Sequence, residues 1–279
     1  SSSSSSSSSS LSSSSPYAPP LVSVCLVHHN RGEITLKTIE ALLKQDYGPF
    51  EIVMVDDGST DEASLKVLTD IQRFFNQTRA VPFRLIRTRN RYPGAARNTA
   101  AENAKGKFVI FCDDDDIPKP HWISTMVKVA HHTHADVVTS MADFFEGDGT
   151  PLPTAKPKLR WLTLGAAPSL GMYHNVFGAS MALVRKKSFF KIGGYTEEGG
   201  STYEDWEFFA NAVLQGFHLE AIPEALMWYR QHPTSEKLNL MHNTNKYTNR
   251  MRVMRTYQKF VPPQLRNAVL YGWGASPKR

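Results

Sequence analysis

Two runs of acidic residues stand directly after largely apolar stretches of the chain. Asp56 and Asp57 follow residues 51–55, and four consecutive aspartates at 113–116 follow residues 108–112. Short runs rich in β-branched and aromatic residues are typical of buried strands. Because ligands of open α/β sheets bind beyond the carboxyl ends of the strands, we expect both acidic runs at one edge of one sheet.

The chemistry of such an edge depends on how its negative charge is balanced. Carboxylates that lie close together repel one another, so a cation is expected among them. Oxygen ligands of this kind favour Mg²⁺ or Mn²⁺. An isolated acidic run is more simply a solvated turn with helix-capping aspartates. Here the preceding strand and the matching pair Asp56 and Asp57 favour a site that handles a metal-bound phosphate compound.

The sequence Asp56-Asp57-Gly58-Ser59 allows two roles for its carboxylates. A carboxylate just beyond a strand can accept hydrogen bonds from a ribose or from the edge of a base. An aspartate in a turn can instead cap the helix that follows. The two roles are compatible, because one aspartate can cap while its neighbour binds.

A third acidic group opens the helix predicted at residues 204–215. There Asp205 follows Tyr203 and Glu204. Acidic residues in the first turn of a helix are stabilised by the helix dipole, which is the structural interpretation. The functional interpretation makes Asp205 a general base, which must come within about 3 Å of the alcohol it deprotonates. The residues alone leave both interpretations open.

Strands and helices alternate through the first half of the chain. Apolar runs predict strands, and apolar residues at helical spacing predict the helices between them. The predicted strands cover residues 21–27, 51–55, 81–86, 107–112 and 136–140, and the predicted helices cover residues 33–44, 62–75, 94–104 and 122–131. This alternation predicts an α/β fold with a mostly parallel sheet, flanking helices and right-handed crossovers.

The pattern changes near residue 146. Residues 146–170 are rich in Pro, Gly, Thr and Lys, and a connection of this length predicts a lid or a binding loop. The other predicted elements are strands at residues 175–184, 218–222 and 226–229, helices at residues 187–192 and 204–215, and a basic helical tail at residues 238–260. We therefore expect a smaller mixed half beside the parallel sheet, followed by a helical extension.

The chain has 279 residues, enough for one large domain or two small ones. Its first 15 residues are serine except Leu11, and such a tract has no apolar surface to offset its chain entropy. We predict a disordered or artefactual tract at residues 1–15, one main domain at residues 16–236 and a helical extension at residues 237–279. We also expect the chain to be one module of a larger protein.

Charge and cysteine content argue against several classes of protein. The net charge is +6, with basic residues spread out rather than gathered with aromatics, so nucleic acid is not an expected partner. Cys25 and Cys112 lie in apolar runs and fit neither a zinc motif nor a disulfide framework. No stretch reaches the roughly 20 apolar residues of a transmembrane helix. We expect a cytoplasmic location, with peripheral attachment to a membrane as an alternative.

Six motifs occur in one order between residues 21 and 232. They are Val-Ser-Val-Cys-Leu-Val-His-His-Asn at 22–30, Val-Asp-Asp-Gly-Ser-Thr-Asp at 55–61, Gly-Ala-Ala-Arg-Asn at 94–98, Phe-Cys-Asp-Asp-Asp-Asp at 111–116, Gly-Gly-Tyr with Glu-Asp-Trp-Glu at 193–207, and Leu-Met-Trp-Tyr-Arg-Gln-His at 226–232. Asp-x-Asp alone is common by chance, whereas six ordered motifs are specific. Together they resemble the family 2 glycosyltransferases of the GT-A fold.

The resemblance implies an inverting transfer of a hexosyl or N-acetylhexosaminyl group from a nucleotide sugar, expected to be UDP-linked, to an acceptor hydroxyl. The acceptor would be a carbohydrate, a lipid-linked compound or a protein, and Mn²⁺ or Mg²⁺ would assist. The resemblance assigns donor contacts to Asn30, Asp56, Asp57, Arg97 and Asp113, metal ligation to Asp113, Asp115 and His232, and base catalysis to Asp205 with support from Glu204.

Alternatives to these assignments also follow from the sequence. Arg97 could be an exposed helix arginine. His232 could be a surface histidine, or one that contacts the metal ligands without touching the metal. Val-His-His-Asn at residues 27–30 stands where relatives often have Pro-Thr-Tyr-Asn. The absence of a Gln-x-x-Arg-Trp motif after Asp205 favours single additions over processive synthesis.

Three other classes of function compete with a transferase. A nucleotidyltransferase usually carries a Gly-rich triphosphate loop after its first strand, but residues 28–33 hold one glycine. A non-catalytic sugar-nucleotide-binding module would lack turnover, although all the expected carboxylates are present. A receiver-like phosphoacceptor domain would need only about 120 residues.

Overall fold

The computed structural model describes residues 18–197, 202–232 and 246–266. Within these ranges the chain forms nine strands. In chain order they are β1 (Val22–His28), β2 (Phe50–Asp57), β3 (Phe83–Thr88), β4 (Phe108–Asp113), β5 (Ile117–Pro118), β6 (Val137–Glu146), β7 (Arg160–Trp161), β8 (Leu183–Arg185) and β9 (Leu219–Gln231).

The same ranges contain eight α-helices and one short 3₁₀ helix at Pro263–Leu265. The α-helices are α1 (Ile34–Leu42), α2 (Glu62–Thr78), α3 (Tyr92–Asn103), α4 (Trp122–His132), α5 (Pro168–Gly171), α6 (Lys186–Ile192), α7 (Glu204–Leu214) and α8 (Lys246–Gln258). The predicted alternation of strands and helices in the first half of the chain is therefore confirmed.

All nine strands join one sheet, in the order β3-β2-β1-β4-β8-β6-β9-β5, with β7 paired to β6. Strands β3, β2, β1 and β4 are parallel neighbours, whereas β8 runs antiparallel to both β4 and β6. The predicted α/β class with a smaller mixed half is confirmed. The mainly parallel character belongs to the first four strands and to the pair β6 and β9.

The sheet is covered on both faces, which explains the near-continuous apolar runs of β1, β2 and β4. Alternate residues of β1 enter two different cores: Val24 and Leu26 face one, and Cys25 and Val27 face the other. Helices α1, α2 and α4 pack into the first core, and α3, α6, α7 and α8 pack into the second. Both cysteines are buried and free, as predicted.

Local sequence signals explain where two helices begin. The side chain of Asp61 caps α2 by accepting a hydrogen bond from the N–H of Ser64 at 2.8 Å, and aspartate is among the preferred N-cap residues. Helix α3 begins at Tyr92, two residues earlier than the predicted start at residue 94. Pro93 in its first turn is a favourable helix-starting residue, so this signal was present in the sequence.

Two strand predictions in the second half were wrong in extent. Of the predicted strand at residues 175–184, only Leu183 and Val184 lie in a strand, the beginning of β8. The earlier residues do not, because Gly178 adopts φ +143° and Asn175 Nδ2 donates back to the carbonyl of Gly178. The two short strands predicted at residues 218–222 and 226–229 are one strand, β9. A register shift after Ile222 leaves Pro223 in an irregular, bulge-like position, where a proline is tolerated.

The remaining predictions concern the long connection and the termini. Residues 146–170 are not wholly irregular, because they contain β7 and the first residues of α5. Helix α8 confirms a helical tail over residues 246–258, while the predicted part at 238–245 and the serine tract at 1–15 lie outside the described residues. In the described part of the chain, no helix combines the length and apolarity needed to cross a bilayer.

Candidate active site

The ends of β1, β2 and β4 lie side by side at one edge of the sheet. In the parallel register His28 of β1 pairs with Asp56 of β2, and Val27 of β1 pairs with Asp113 of β4. The two acidic runs therefore meet at the same edge, as their positions after consecutive parallel strands predict.

Arg97 joins this edge to the start of α7. Its Nη2 donates to Asp113 Oδ1 at 2.6 Å, and its Nη1 donates to Glu204 Oε1 at 2.5 Å. Arg97 is 4% exposed, and its guanidinium lies 5.6 Å from the ring centroid of Tyr195. It is therefore not the exposed helix arginine that the sequence also allowed, but a buried cation that holds two carboxylates from distant parts of the chain.

The side chains of two histidines and one arginine surround the carboxylates of Asp114 and Asp115. His28 Nδ1 lies 2.5 Å from Asp114 Oδ2. His232 Nε2 and Arg31 Nη2 lie 2.8 and 3.1 Å from Asp115 Oδ2. Burial opposes ionisation of Asp115, but the hydrogen bond with His232 and the charge of Arg31 bring its pKa below the ordinary value. Asp115 is therefore an ionised carboxylate at neutral pH.

Asp116 has a different environment from its neighbours. Its Oδ1 accepts a hydrogen bond from the N–H of Arg230 at 3.0 Å, while its Oδ2 accepts none from the described residues. Burial, with the charges of Asp115 and Asp113, raises the pKa of Asp116 well above the ordinary value. The hydrogen bond with the N–H of Arg230 gives Asp116 a structural role.

Arg230 ties the acidic run to the start of the long connection. Its Nε donates to the carbonyl of Asp115 at 2.8 Å, and its Nη1 donates to the carbonyl of Gly147. The guanidinium also covers the ring of Phe145, with 4.4 Å between Cζ and the ring centroid. The beginning of residues 146–170 is thereby held next to the candidate site.

Asp56, Asp57 and Asn30 organise the loops beyond β1 and β2. Asp56 is completely buried and accepts from the N–H of Ser59 and from Arg87 Nε, both at 3.0 Å. Asp57 accepts from a backbone N–H just before α3 at 2.8 Å, and burial raises its pKa. Asn30 Oδ1 accepts from the loop backbone at 2.8 Å. The turn-holding role of these residues is observed, and the nucleoside contact stays a prediction.

Asp205 lies in the first turn of α7, beside Glu204. Its Oδ1 accepts from the N–H of Trp206 at 2.7 Å, and its Oδ2 accepts from Asn175 Nδ2 at 3.4 Å. Burial and the negative charge of Glu204 raise the pKa of Asp205 to about 7. A carboxylate with a pKa near neutrality can take up and release a proton at neutral pH, which suits a general base.

The three residues assigned to metal ligation are only partly brought together. Asp115 and His232 are in direct contact, whereas the carboxylate of Asp113 is hydrogen-bonded by Arg97 and by Ser180. Among the described residues, no three His, Cys, Asp or Glu side chains converge in a way that could hold a metal. An ionised carboxylate and an imidazole suit Mn²⁺ as donor types, and Arg31 supplies the balancing charge in this arrangement.

Several residues at the edge were not identified from the sequence. Asn175 stands in a segment predicted to be a strand, yet it contacts Asp205. Ser180 Oγ donates to Asp113 Oδ2 at 3.2 Å. Arg31 gave a usable signal, because it directly follows the first motif and is the one arginine of that loop. The other two gave none, since their contacts are made across large separations in sequence.

A curled α/β sheet with this edge of carboxylates is the GT-A fold of glycosyltransferases, and solved structures support that class. TarS of S. aureus (residues 1–349, in complex with UDP-GlcNAc) superposes with a TM-score of 0.68 at 22% identity, over 90% of this chain and 71% of that one. Mannosyltransferase PcManGT of Pyrobaculum calidifontis, in complex with GDP-Man and Mn²⁺, gives 0.59 at 16% identity, over 92% and 70%.

Sequence comparison then gives the family. The profile of Glycosyl transferase family 2 matches residues 23–193, more than half of the chain, and the chain belongs to this family of glycosyltransferases. Glycosyltransferase GlyG of Streptococcus pneumoniae is 34% identical over 131 residues, which are 46% of this chain and 42% of GlyG. The uncharacterized glycosyltransferase YwdF of Bacillus subtilis is 26% identical over 75% of this chain and 73% of its own length. The match thus spans less than half the length of GlyG.

Proposed function

We propose that this glycosyltransferase is an inverting, metal-assisted and non-processive enzyme. It moves a hexosyl or N-acetylhexosaminyl group from a UDP-linked sugar to an acceptor hydroxyl, with Asp205 as the general base. The observation that carries the proposal is the buried Arg97, which holds Asp113 of the acidic run beside Glu204 and hence close to Asp205. This contact supports the proposal, because it joins the acidic edge of the sheet to the helix turn that carries a carboxyl group with a pKa of about 7.

The donor would occupy the edge formed by the ends of β1, β2 and β4. In this proposal Asp56 or Asp57 contacts the nucleoside, Asn30 shapes the same loop, and Arg97 and Asp113 lie near the diphosphate. TarS and PcManGT were solved with UDP-GlcNAc and GDP-Man, which makes nucleotide sugars the compounds to test first. The likeness to UDP-GlcNAc-bound TarS, at 22% identity, makes that compound the first donor to try.

Asp205 would act directly on the acceptor. Its carboxylate takes the proton of the acceptor hydroxyl as the oxygen attacks the anomeric carbon from the face opposite the diphosphate, so the configuration inverts. Burial and then the charge of Glu204 keep the pKa of Asp205 high, and Arg97 holds Glu204 in place. No covalent intermediate on the protein is required in this reaction.

A divalent cation would be held by Asp115 and His232, with Asp113 as a third candidate ligand. Bound Mn²⁺ or Mg²⁺ would neutralise the charge that develops on the diphosphate leaving group. Arg31 lies against Asp115 and Asp114, so its guanidinium balances the same carboxylates and competes for Asp115.

Residues 146–170 would shape the acceptor side of the site. Arg230 holds their start beside the acidic run, and Trp206 Nε1 donates to the carbonyl of Gly171 at 2.6 Å, which holds their end beside α7. Five leucines between these anchors are 52–69% exposed: Leu152, Leu159, Leu162, Leu164 and Leu170. We include carbohydrate, lipid-linked and protein acceptors in the proposal.

A screen of nucleotide sugars by thermal shift in the presence of Mn²⁺ tests the proposal. A donor at about 100 times its dissociation constant should raise the free energy of unfolding by about 2.7 kcal/mol. The stabilising donor is then assayed for release of its nucleoside diphosphate. Binding without release, with water or any acceptor, would favour a non-catalytic module, and pyrophosphate release from a nucleoside triphosphate would favour a nucleotidyltransferase.

A further inference from the structure

Helix α8 packs against α7, the helix that carries the candidate base. Both helices lie beyond the residues matched by the family profile. Val253, Met254 and Tyr257 are buried in the same apolar core as Trp206 and Phe209 of α7. The family match ends at residue 193. Helix α8 is thus part of the folded body beside the site.

Arg252 of α8 contacts one residue before Asp205 in the chain and one residue after it. Its Nε donates to Glu207 Oε2 and its Nη2 donates to the carbonyl of Thr202, both at 2.6 Å. Thr202 stands before Asp205 in the chain and Glu207 after it, so the two bonds bracket the first turn of α7. Arg252 is only 7% exposed, and hydrogen bonds from a charged donor are strongest where water is excluded.

Two neighbours on the same face of α8 reinforce these contacts. Asn249 Nδ2 donates to Thr202 Oγ1 at 2.7 Å, and Thr256 Oγ1 donates to Glu207 Oε1 at 3.3 Å. Asn249 Oδ1 also accepts from Arg252 Nη1 at 3.3 Å. Residues three and four apart lie on one face of a helix. We call Asn249, Arg252 and Thr256 the α8 clamp.

The first turn of α7 needs support from outside the helix. Its N-cap residue Tyr203 makes no side-chain capping bond and adopts φ +67°, a left-handed conformation that costs roughly 1–3 kcal/mol in a non-glycine residue. Glu204, Asp205 and Glu207 also place three carboxylates in one turn. The helix dipole favours each carboxylate singly, but Glu204 and Glu207, three residues apart, repel one another. Arg97 supports Glu204, and the α8 clamp supports Glu207.

We propose that Arg252 is a positioning residue for the transfer reaction. It holds the backbone of the first turn of α7 so that the carboxylate of Asp205 faces the acceptor hydroxyl. The inference rests on the proposed role of Asp205 as the base. Arg252 acts through Thr202 and Glu207, so its removal should disturb the chemical step more than donor binding.

The kinetic test compares Arg252→Gln with Arg252→Lys and with a matched control, Arg255→Gln. Arg255 is on the same helix but exposed. With UDP-GlcNAc and Mn²⁺, or the donor found by thermal shift, kcat for nucleoside diphosphate release should fall at least about tenfold in Arg252→Gln, with KM for the donor within about twofold. Arg252→Lys should recover part of kcat, and Arg255→Gln should match the wild type. A kcat of Arg252→Gln within about twofold of wild type would overturn the inference.

A second set of variants separates positioning from loss of folding. Glu207→Gln weakens the same bond from its other end, so the double variant Arg252→Gln/Glu207→Gln should have nearly the kcat of Arg252→Gln alone. Multiplicative losses in kcat would show that the two residues act independently and would contradict the inference. Thermal unfolding of each variant identifies any that loses its fold, and Arg252→Lys then carries the kinetic comparison.

Hydrogen exchange tests the clamp without any turnover. Amides of residues 203–207 should exchange faster in Arg252→Gln than in the wild type, and at the wild-type rate in Arg255→Gln, because the bonds to Thr202 and Glu207 are lost only in the first variant. Equal exchange in both variants would overturn the inference. If no donor is turned over by the wild type, the proposed function fails while the exchange result still decides whether α8 holds this turn.

Discussion

Asp115 and Asp205 show how the surroundings of a carboxylate set its chemistry. Burial acts on both, but Asp115 contacts His232 and Arg31 and its pKa is lowered, whereas Asp205 lies beside another carboxylate and its pKa is raised to about 7. The first is suited to bind a cation and the second to accept a proton. The sequence predicted both candidates from their positions after a strand and at a helix start, but the opposite directions of the two pKa shifts depend on partners that are distant in sequence.

The raised pKa of Asp205 predicts the pH dependence of the reaction. Because the base must be ionised to accept a proton, kcat for diphosphate release should rise with pH through about 7 and level off above it. Below that midpoint the rate should fall about tenfold per pH unit. Initial rates between about pH 5.5 and pH 9 measure this profile. A rate that is flat, or that falls as the pH rises through 7, would contradict the assignment.

The same pKa shift predicts an effect on stability. The pKa of Asp205 is higher in the folded state than the ordinary value of 3.8, so the folded state holds this proton more firmly than the unfolded chain does. Its contribution to the free energy of unfolding is full at low pH and is lost as the pH rises through about 7. Between about pH 6 and pH 8 the Tm of Asp205→Asn should therefore fall less than that of the wild type, and an equal fall would argue against the shift.

Arg31 allows a test of the metal proposal. Replacing Arg31 with Met removes the guanidinium that now lies 3.1 Å from Asp115, so Mn²⁺ should bind roughly tenfold more tightly, or by about 1.4 kcal/mol. Isothermal titration with Mn²⁺ in the absence of nucleotide measures this change. Arg73→Met is the matched control, because Arg73 is exposed and pairs with Asp70 at 2.9 Å, away from the edge. Unchanged or weaker binding in Arg31→Met would contradict the competition.

At the scale of elements, the first half of the chain was predictable because each strand and helix has its own local signal. Strands β1, β2 and β4 are apolar runs that end in a polar turn, and Asp61 marks the start of α2. The second half was less predictable for two reasons. A side chain there bonds a backbone carbonyl that a strand would otherwise use, and the pairing of β6 with β9 is irregular. Asn175 replaces part of a strand with a turn, and Pro223, which appeared to end a strand, lies within β9 at a register shift.

Gly94 shows how closely two elements of the site approach. A Cβ at this position in the first turn of α3 would lie 2.1 Å from the carbonyl oxygen of Thr196. Gly94→Ala should therefore lower the free energy of unfolding by roughly 1–3 kcal/mol, although alanine is otherwise the better helix former. Gly149→Ala is the control, since a Cβ there would meet nothing within 4 Å. Urea unfolding measures both, and a stabilised Gly94→Ala would contradict the close packing.

At the scale of the whole molecule, the candidate site depends on contacts between distant parts of the chain. Arg97 of α3 binds Asp113 of β4 and Glu204 of α7, and Arg252 of α8 binds Glu207. The boundary expected near residue 236 would separate α8 from the helix it supports. A single sequence showed which residue types were present, but no local pattern could show that these side chains pair.

Replacing Arg97 should lower the stability of the protein strongly, because its side chain joins Asp113 to Glu204. Arg97→Met would leave two carboxylates without their buried cation, which should lower the free energy of unfolding by roughly 3–5 kcal/mol. Arg84→Met, at an exposed arginine whose contact with Asn103 is long at 3.4 Å, should change it by less than about 0.5 kcal/mol. Chemical denaturation compares the two. If the free energy of unfolding of Arg97→Met falls by less than about 1 kcal/mol, the contacts of Arg97 with Asp113 and Glu204 do not stabilise the fold as proposed.

The most direct test of the account is the turnover rate of Asp205→Asn with the donor that stabilises the wild type. The amide keeps the size of the side chain but cannot take the acceptor proton, so release of nucleoside diphosphate should fall by about 10²-fold or more. Donor affinity, measured by calorimetry with Mn²⁺, should stay within about twofold of the wild type. Turnover by Asp205→Asn at the wild-type rate would contradict the account.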